Sequence, residues 1–356
     1  MKPYLYIENL NSHSPLYQVK TGFQFKNKII VVGALDSAKT RAIKKAKSEF
    51  YERLIPFYIP SEKKIPQFSI KEIEKINNNI LPPFFNKSGN TSDYHCVKGK
   101  TIFTHKDVYI PAEDVYLNYP PPIYNGENKN YVDATGLSCH NSLKKSLLHG
   151  LFEVIERDQI SLFWFLKNTE GILIDNSEKY LKRPINSFIK KSNYTIEIIL
   201  LKELIKIGIY TTIAIVTNSK GDLCLGSSTK DNFQECANKS VLEAIMLHET
   251  MKIEEPIINT SSQSIHSVLY AYRNSEIVKK YILDKTVMVT LGKLKAIIES
   301  RADKIDFKIL KKYYCYEPIY FKFRNPYNKL IVTRVIIPGA LNKHSINSVI
   351  PIIYIY

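Results

Sequence analysis

Residues 131–168 read YVDATGLSCHNSLKKSLLHGLFEVIERDQISLFWFLKN, a polar turn around Gly136 that runs into a long amphipathic segment. Ser142 has the side chain of a helix N-cap, and Leu143, Leu147, Leu151 and Val154 recur at helical spacing, so an apolar stripe facing a core is expected. Glu153 and Glu156 lie one turn apart on the same side of that helix, with Arg157 beside them. Two carboxylates held this way can share a divalent cation, because a hard ion such as Mg2+ takes oxygen ligands and offsets the repulsion between neighbouring negative charges. The plainer alternative is a solvated face laced with Lys144, Lys145 and Arg157.

The same unit occurs earlier in the chain. Residues 49–53, EFYER, match residues 153–157, EVIER, so an ExxER unit stands near the end of two helical segments 104 residues apart. In the first of them Lys45, Glu49 and Glu52 fall on one stripe, with Arg53 directly after. A third segment, residues 239–246 (KSVLEAIM), keeps Glu243 but carries Met246 where the second carboxylate would stand. Matching units at matching places point to an internal structural repeat, and chance in Glu-bearing helices is the alternative.

Residues 33–40, GALDSAKT, follow a buried-strand run at 29–32 and precede a helix at 39–54, which approaches a phosphate-binding loop. Ala38 replaces the second glycine and Asp36 would sit inside the cradle. Such a loop turns its amides toward the phosphates through glycine conformations and has no use for a carboxylate there, so this class of NTPase is disfavoured.

With 356 residues, 44% hydrophobic and 24% charged, the chain has the composition of a globular protein with ample core. No run approaches the ~18 apolar residues of a membrane span, and residues 1–14 contain no apolar signal region, so a cytoplasmic protein with no membrane partner is expected. Five cysteines without a CxxC pair fit free thiols in a reducing compartment. The net charge of +16 comes from dispersed lysines with no nucleic-acid motif. It favours anionic ligands and acidic peptides in general over DNA or RNA.

Periodicity places a helix at 180–191, strands at 194–201, 209–216 and 223–226, and helices at 233–251, 265–282 and 293–299. Late strands follow at 319–323 and 330–337, and short ones precede at 101–103 and 108–110. Residues 86–92 read as a loop and Pro120, Pro121 and Pro122 as a rigid connector. The expected class is α+β, or mixed α/β, with one large sheet system and a helix/strand repeat. Residues 1–27 read as an N-terminal extension, 28–345 as the main domain and 346–356 as a C-terminal tail.

Residues 132–158, VDATGLSCHNSLKKSLLHGLFEVIERD, resemble the central signature of the YcaO family, and residues 44–54 (KKAKSEFYERL) resemble its earlier nucleotide-site helix. Residues 107–119, 239–247 and 332–341 (VTRVIIPGAL) follow in the family's order, so the similarity covers about 28–341. The resemblance implies a YcaO-type fold with a non-P-loop ATP site in which carboxylates hold Mg2+, and ATP-dependent activation of a peptide backbone amide. A Cys, Ser or Thr side chain of the substrate then closes an azoline, or external sulfide or an amine gives a thioamide or amidine. Phosphorylating an amide oxygen turns a poor leaving group into a good one, while the metal offsets phosphate charge.

Carried over by position, the resemblance makes Glu49, Glu52, Glu153 and Glu156 the metal and phosphate carboxylates, and Glu153, Glu156 and Arg157 the catalytic set. Asn141, Lys239 and Glu243 complete the implied nucleotide contacts. It also implies a precursor peptide as substrate, a separate leader-binding partner protein of the same biosynthetic complex, and a homodimer among the assemblies. Lys45 stands where family members carry serine, Lys145 where they carry a metal-site glutamate, Lys239 for an arginine and Met246 for a glutamine. The Gly-Lys-Gly turn of the family is absent, as is the Pro-x-Pro-x-Pro tail of azoline-forming members, since residues 348–356 read SVIPIIYIY. An ammonium in place of a carboxylate repels a metal ion, so Lys145 implies one Mg2+ fewer, a lysine that itself holds phosphate, or a domain that only binds peptide.

Overall fold

The computed structural model describes residues 4–9, 14–25, 28–57, 65–77, 94–117, 119, 134–165, 170–254, 275–299 and 308–341. In chain order the strands are β1 (Tyr4–Asn9), β2 (Tyr17–Phe25), β3 (Lys28–Asp36), β4 (Gln67–Phe68), β5 (Tyr94–Thr101), β6 (Asp107–Pro111) and β7 (Leu137–His140). They continue with β8 (Gly171–Ile174), β9 (Thr195–Leu201), β10 (Tyr210–Thr217), β11 (Leu223–Lys230), β12 (Thr286–Val289), β13 (Ile319–Phe323) and β14 (Ile331–Ile336). The helices are α1 (Lys39–Leu54), α2 (Ile70–Ile76), α3 (Ala112–Val115), α4 (Leu143–Phe165), α5 (Arg183–Lys191) and α6 (Phe233–Glu254), then α7 (Ser275–Leu283), α8 (Leu291–Glu299) and α9 (Lys308–Tyr314).

The chain divides into two compact units, and it passes between them inside α1 and inside α4. The first unit comprises residues 1–46, 158–305 and 345–356. It holds an antiparallel three-stranded sheet β1-β2-β3 and a five-stranded sheet in the order β11-β10-β9-β8-β12, in which β12 is parallel to β8. Its core gathers Phe188, Ile198, Tyr210, Ala214, Val241 and Ile245 from α5, β9, β10 and α6. A second cluster joins Phe163 and Trp164 at the end of α4 to Ile199, Ile213 and Ile282, so the aromatic run of that helix is core, as its composition implies.

The second unit comprises residues 47–157 and 306–344. Its sheet runs β4-β5-β13-β14-β7, with β6 added beside β5. Cys96, Ile110, Val115, Leu137 and Val332 form its core, and Tyr51 and Ile55 of α1 pack against it.

The mixed α/β class and the long helices agree with the expectations, while local boundaries differ. The sheet system is three sheets rather than one. Residues 33–36 are strand and not turn: Gly33 faces Lys20 and Asp36 faces Tyr17 in the β2–β3 ladder, so no phosphate loop can form there. Residues 4–25, expected as an extension or edge element, supply two strands of that sheet, β1 at its edge. Ile102 and Phe103 belong to the turn between β5 and β6, where Glu317 accepts the backbone N–H groups of Phe103 (2.6 Å) and Thr104 (2.7 Å). The helix expected at 180–191 starts at Arg183, after a short 3-10 turn. Of the helix expected at 265–282, Ser275–Leu283 is helical and the earlier part lies outside the described residues, as do the 86–92 loop, the Pro120–Pro122 connector and the 346–356 tail.

Three strands run into three long helices through a two-residue turn each: β3 by Ser37 and Ala38 into α1, β7 by Asn141 and Ser142 into α4, and β11 by Asp231 and Asn232 into α6. These are the three helices that carry Glu49, Glu153 and Glu243, so the repeat seen in sequence is a repeated strand–turn–helix. Among the described residues no helix is long and apolar enough to cross a membrane.

Candidate active site

The start of α4 is fixed by its cap and by three small residues. Ser142 Oγ accepts the N–H of Lys145 (3.4 Å) and Ser142 O that of Ser146 (3.0 Å). The buried Ser146 Oγ donates to Ser138 O (3.0 Å) and lies 2.8 Å from Thr333 Oγ1, which ties the helix to β7 and β14. One turn on, a Cβ on Gly150 would stand 2.6 Å from Gly136 O. Gly136 itself has φ +80°, and a Cβ there would meet Val335 O at 2.0 Å. Only glycine permits both the left-handed turn and the close approach of helix to strand. Ser146, Gly150 and Val154 therefore form the sheet-facing row, and Leu143 and Leu147, expected in the apolar stripe, are only half-buried.

This seating places Glu153 half-buried and Glu156 5% exposed. α1 brings Glu52, 9% exposed, and Glu49 to the same place. The convergence is electrostatic. Burial acts to lower the pKa of Arg53, yet the negative charges of Glu52, Glu49 and Glu153 more than offset this and raise it, with Arg157 opposing them. Five of these charged groups, three carboxylates and two guanidiniums from two helices, thus share one electrostatic neighbourhood. The nearest Arg53–Glu52 approach is 4.0 Å, at the outer limit of an ion pair. Arg53 was visible as the last letter of ExxER, but its position at the centre of the carboxylates could not be read from spacing.

Glu52 also reaches β7. The Cys139 thiol is pushed up to about 12, by burial first and then by the charge of Glu52. A thiol so high is not a nucleophile, so the buried Cys139 is a packing residue. Asn141 lies exposed in the turn before α4, its Oδ1 2.6 Å from His140 Nδ1.

The lysines that depart from the family pattern have definite surroundings. Lys45 Nζ pairs with Asp36 at 2.8 Å, and Asp36 also accepts from Arg41 Nε (2.9 Å) and from the N–H of Ala38 (3.0 Å). Lys145 is exposed on the first turn of α4. Lys239 and Glu243 belong to the first unit, where they pair with each other along α6 at 3.2 Å.

The donor set fits a nucleotide with Mg2+. Three carboxylates against two guanidiniums leave an excess of negative charge that a divalent ion neutralises, and the guanidiniums supply planar donors for phosphate oxygens. Among the described residues no three His, Cys, Asp or Glu side chains form a ready-made metal cage.

Comparison with known proteins gives this geometry a family. A solved structure titled the YcaO from Methanopyrus kandleri bound with AMPPCP and Mg2+ superposes with a TM-score of 0.65 at 15% identity, over 95% of this chain and 85% of that one. A heterocyclase in complex with substrate and cofactor gives 0.70 at 13% identity over 95% of this chain, which spans half the length of that protein. The E. coli microcin synthetase McbBCD complex with pro-MccB17 bound gives 0.66 at 16% identity, over 94% and 87% of the two chains. At such identities the likeness establishes the fold. Comparison with curated protein sequences returns no match. The family model described as YcaO cyclodehydratase, ATP- and Mg2+-binding, matches residues 22–341, and the chain therefore belongs to the YcaO family.

Proposed function

We propose that this chain uses ATP and Mg2+ to activate backbone amides of a ribosomally made precursor peptide, and that it closes Cys, Ser or Thr side chains onto them as azolines. The observation that carries the reading is the convergence of Glu49, Glu52 and Glu153, from two different helices, on Arg53, on which Arg157 also acts. Bound ATP supplies the phosphoryl group that makes the amide oxygen a leaving group. Glu49, Glu52, Glu153 and Glu156 hold the ion that accompanies it, Arg53 and Arg157 orient phosphate oxygens, and Asn141 presents its amide at the mouth of α4. The raised pKa of Arg53 keeps its guanidinium charged throughout the working pH range. The engagement of Lys45 by Asp36 supports a competent site, because that ammonium is held by a carboxylate of its own neighbourhood.

The substrate is a precursor peptide, delivered by a separate leader-binding protein. Support comes from the E. coli relative, whose structure is a multi-subunit synthetase with a propeptide bound. The buried free thiols accord with a reducing cytoplasm. In the decisive experiment the purified chain, with its peptide and partner, turns over ATP, and Glu153→Gln lowers turnover by about 100-fold or more without unfolding the protein. Unchanged turnover would remove Glu153 from the site. Product mass separates the chemistries, since azoline formation loses water and sulfide delivery replaces oxygen by sulfur.

A second reading rests on Lys145. Its ammonium stands on the exposed first turn of α4 at the position of a family carboxylate, which fits a chain that binds peptide without using ATP. Calorimetry with ATP and Mg2+ decides: heat of binding excludes this reading, and none supports it.

A further inference from the structure

Where β11 turns into α6, the first unit has a cavity of about 300 Å3 between the start of α6 and one face of α8. One wall is apolar and is made by Phe233 of α6, Ile298 of α8 and Tyr180, the last residue of the 3-10 turn Ser177–Tyr180. Phe233 is buried in the core of this unit, and Tyr180 and Ile298 pack against that core. Tyr180 meets Phe233 edge-on at 5.1 Å, and Tyr210 braces the same ring at 5.8 Å. The buried Asn238 pins the chain around Tyr180: its Nδ2 donates to Tyr180 O (3.0 Å) and its Oδ1 accepts the N–H of Lys182 (2.7 Å). The wall is therefore set before a ligand arrives, so little ordering entropy is spent on binding.

The rest of the lining is charged and polar. Lys295 and Glu299, both exposed, lie one turn apart on the face of α8 that borders the cavity. Lys239 and Glu243 of α6 have the same order and spacing and close to 3.2 Å, whereas among the described residues Lys295 and Glu299 form no ion pair. Gln234 adds a side-chain amide that makes no hydrogen bond to the described residues. Asn232 is engaged otherwise, since its Oδ1 caps α6 by accepting the N–H of Glu235 (2.9 Å). An ammonium and a carboxylate left apart on one rim, over an apolar wall, match a ligand that carries both charges and an apolar group. A phosphate or other pure anion would meet Glu299, and a pure cation would meet Lys295, so each is disfavoured by a like charge. The volume is at the lower end of the about 300–1,000 Å3 of small-molecule sites.

We infer that this cavity binds a free α-amino acid with an apolar or aromatic side chain. Lys295 holds its carboxylate, Glu299 holds its ammonium, Gln234 adds a hydrogen bond, and Tyr180, Phe233 and Ile298 receive the side chain. The site lies wholly within the first unit and uses none of the residues assigned to nucleotide, so it is independent of the ATP reading.

The test titrates the full chain by calorimetry with phenylalanine, glycine, N-acetylphenylalanine, phenylalaninamide and the doubly capped N-acetylphenylalaninamide, for the wild type, Lys295→Gln and Glu299→Gln. The wild type binds phenylalanine, and glycine, which leaves the apolar wall empty, binds at least about 10-fold more weakly. Capping either charge of the ligand weakens binding by about 3- to 10-fold. Glu299→Gln weakens phenylalanine and phenylalaninamide to that extent and leaves N-acetylphenylalanine unchanged, while Lys295→Gln weakens phenylalanine and N-acetylphenylalanine and leaves phenylalaninamide unchanged. No binding of phenylalanine by the wild type at about 10 mM overturns the inference. Equal binding of the doubly capped ligand also overturns it, since the cavity then takes the interior of a peptide. Variants that bind every ligand as the wild type does, or that lose all of them equally, overturn the charge assignment and the inference with it. Both substituted side chains are exposed, so the thermal midpoint stays unchanged and is measured beside each titration. The ligand series on the wild type decides even where a variant misfolds.

Discussion

Helices α4 and α6 are seated on their sheets by the same device, yet their charged residues meet different partners. In the second unit Gly136 and Gly150 let α4 approach β14, and Ser146 binds across to Ser138 and Thr333. In the first unit Gly226 of β11 lies under α6, where a Cβ would meet Ser240 O at 2.1 Å and Ala244 N at 2.4 Å, and Thr212 Oγ1 donates to Ser240 Oγ at 3.0 Å. Glu243 of α6 pairs with Lys239 of its own helix, whereas Glu153 of α4 acts on Arg53 of α1. Seating by glycine and small hydroxyls is thus a property of the repeated strand–turn–helix. A candidate site arises where carboxylates from a second helix join, and the two functions of the motif should respond separately to mutation.

The largest effects fall on seating. In Gly136→Ala the new Cβ clashes with Val335 O and the residue is forced to keep φ +80°, so overpacking and backbone strain, about 1–3 kcal/mol each, add. Gly226→Ala incurs the overpacking alone, about 1–3 kcal/mol. Denaturant unfolding should rank Gly136→Ala as the worse of the two. A cost below about 0.5 kcal/mol for both would break the parallel between the units.

The contrast also shows what the sequence could reveal. α1, α4 and α6 were legible because a helical period sustained over 16 to 23 residues is a strong signal, and β10 because Ile, Val and Thr crowd eight positions. β2 was missed because Gln18 and Thr21 are polar and yet buried, which blurs the alternation. β8 and β12, four residues each, are too short to show a period. In the site, the ExxER pairs named the carboxylates, and of the expected apolar stripe Leu151 and Val154 are buried while Leu143 and Leu147, nearer the start of the helix, are only half-buried. The row that meets the sheet is made of Ser146 and Gly150, chosen for size rather than hydropathy, and their partner Gly136 lies a turn and a strand away. Contacts of that kind leave no local pattern.

A middle-sized effect concerns the entry to α1. Asp36 is buried, which raises its pKa, but the ammonium of Lys45, the Ala38 N–H and Arg41 more than offset this and hold it below the usual carboxylate value. Its folded pKa is depressed, so its contribution to stability is fully present above the unfolded value of about 3.9 and is lost as the pH falls through the folded value beneath that. Asp36→Asn should therefore lower stability at pH 7 by about 1–3 kcal/mol, and the gap to the wild type should close in acid. A gap that stays constant from pH 7 to below about pH 3 would show that the Asp36 charge is not what anchors α1.

The smallest effect is the most discriminating between the two helices. Lys239 and Glu243 form an i,i+4 pair with side chains 38% and 21% exposed, and such a pair contributes about 0.3–0.5 kcal/mol. The loss of that pair in Glu243→Gln should contribute no more than that to unfolding, and the contribution should shrink further in high salt. Glu52→Gln removes a carboxylate that is 9% exposed and leaves Arg53 with fewer counter-charges, so it should cost about 1–3 kcal/mol with little response to salt. If the two variants proved equal, the carboxylates of the second unit would be as weakly coupled as those of α6. The convergence on Arg53 would then lose its claim to be what sets that unit apart.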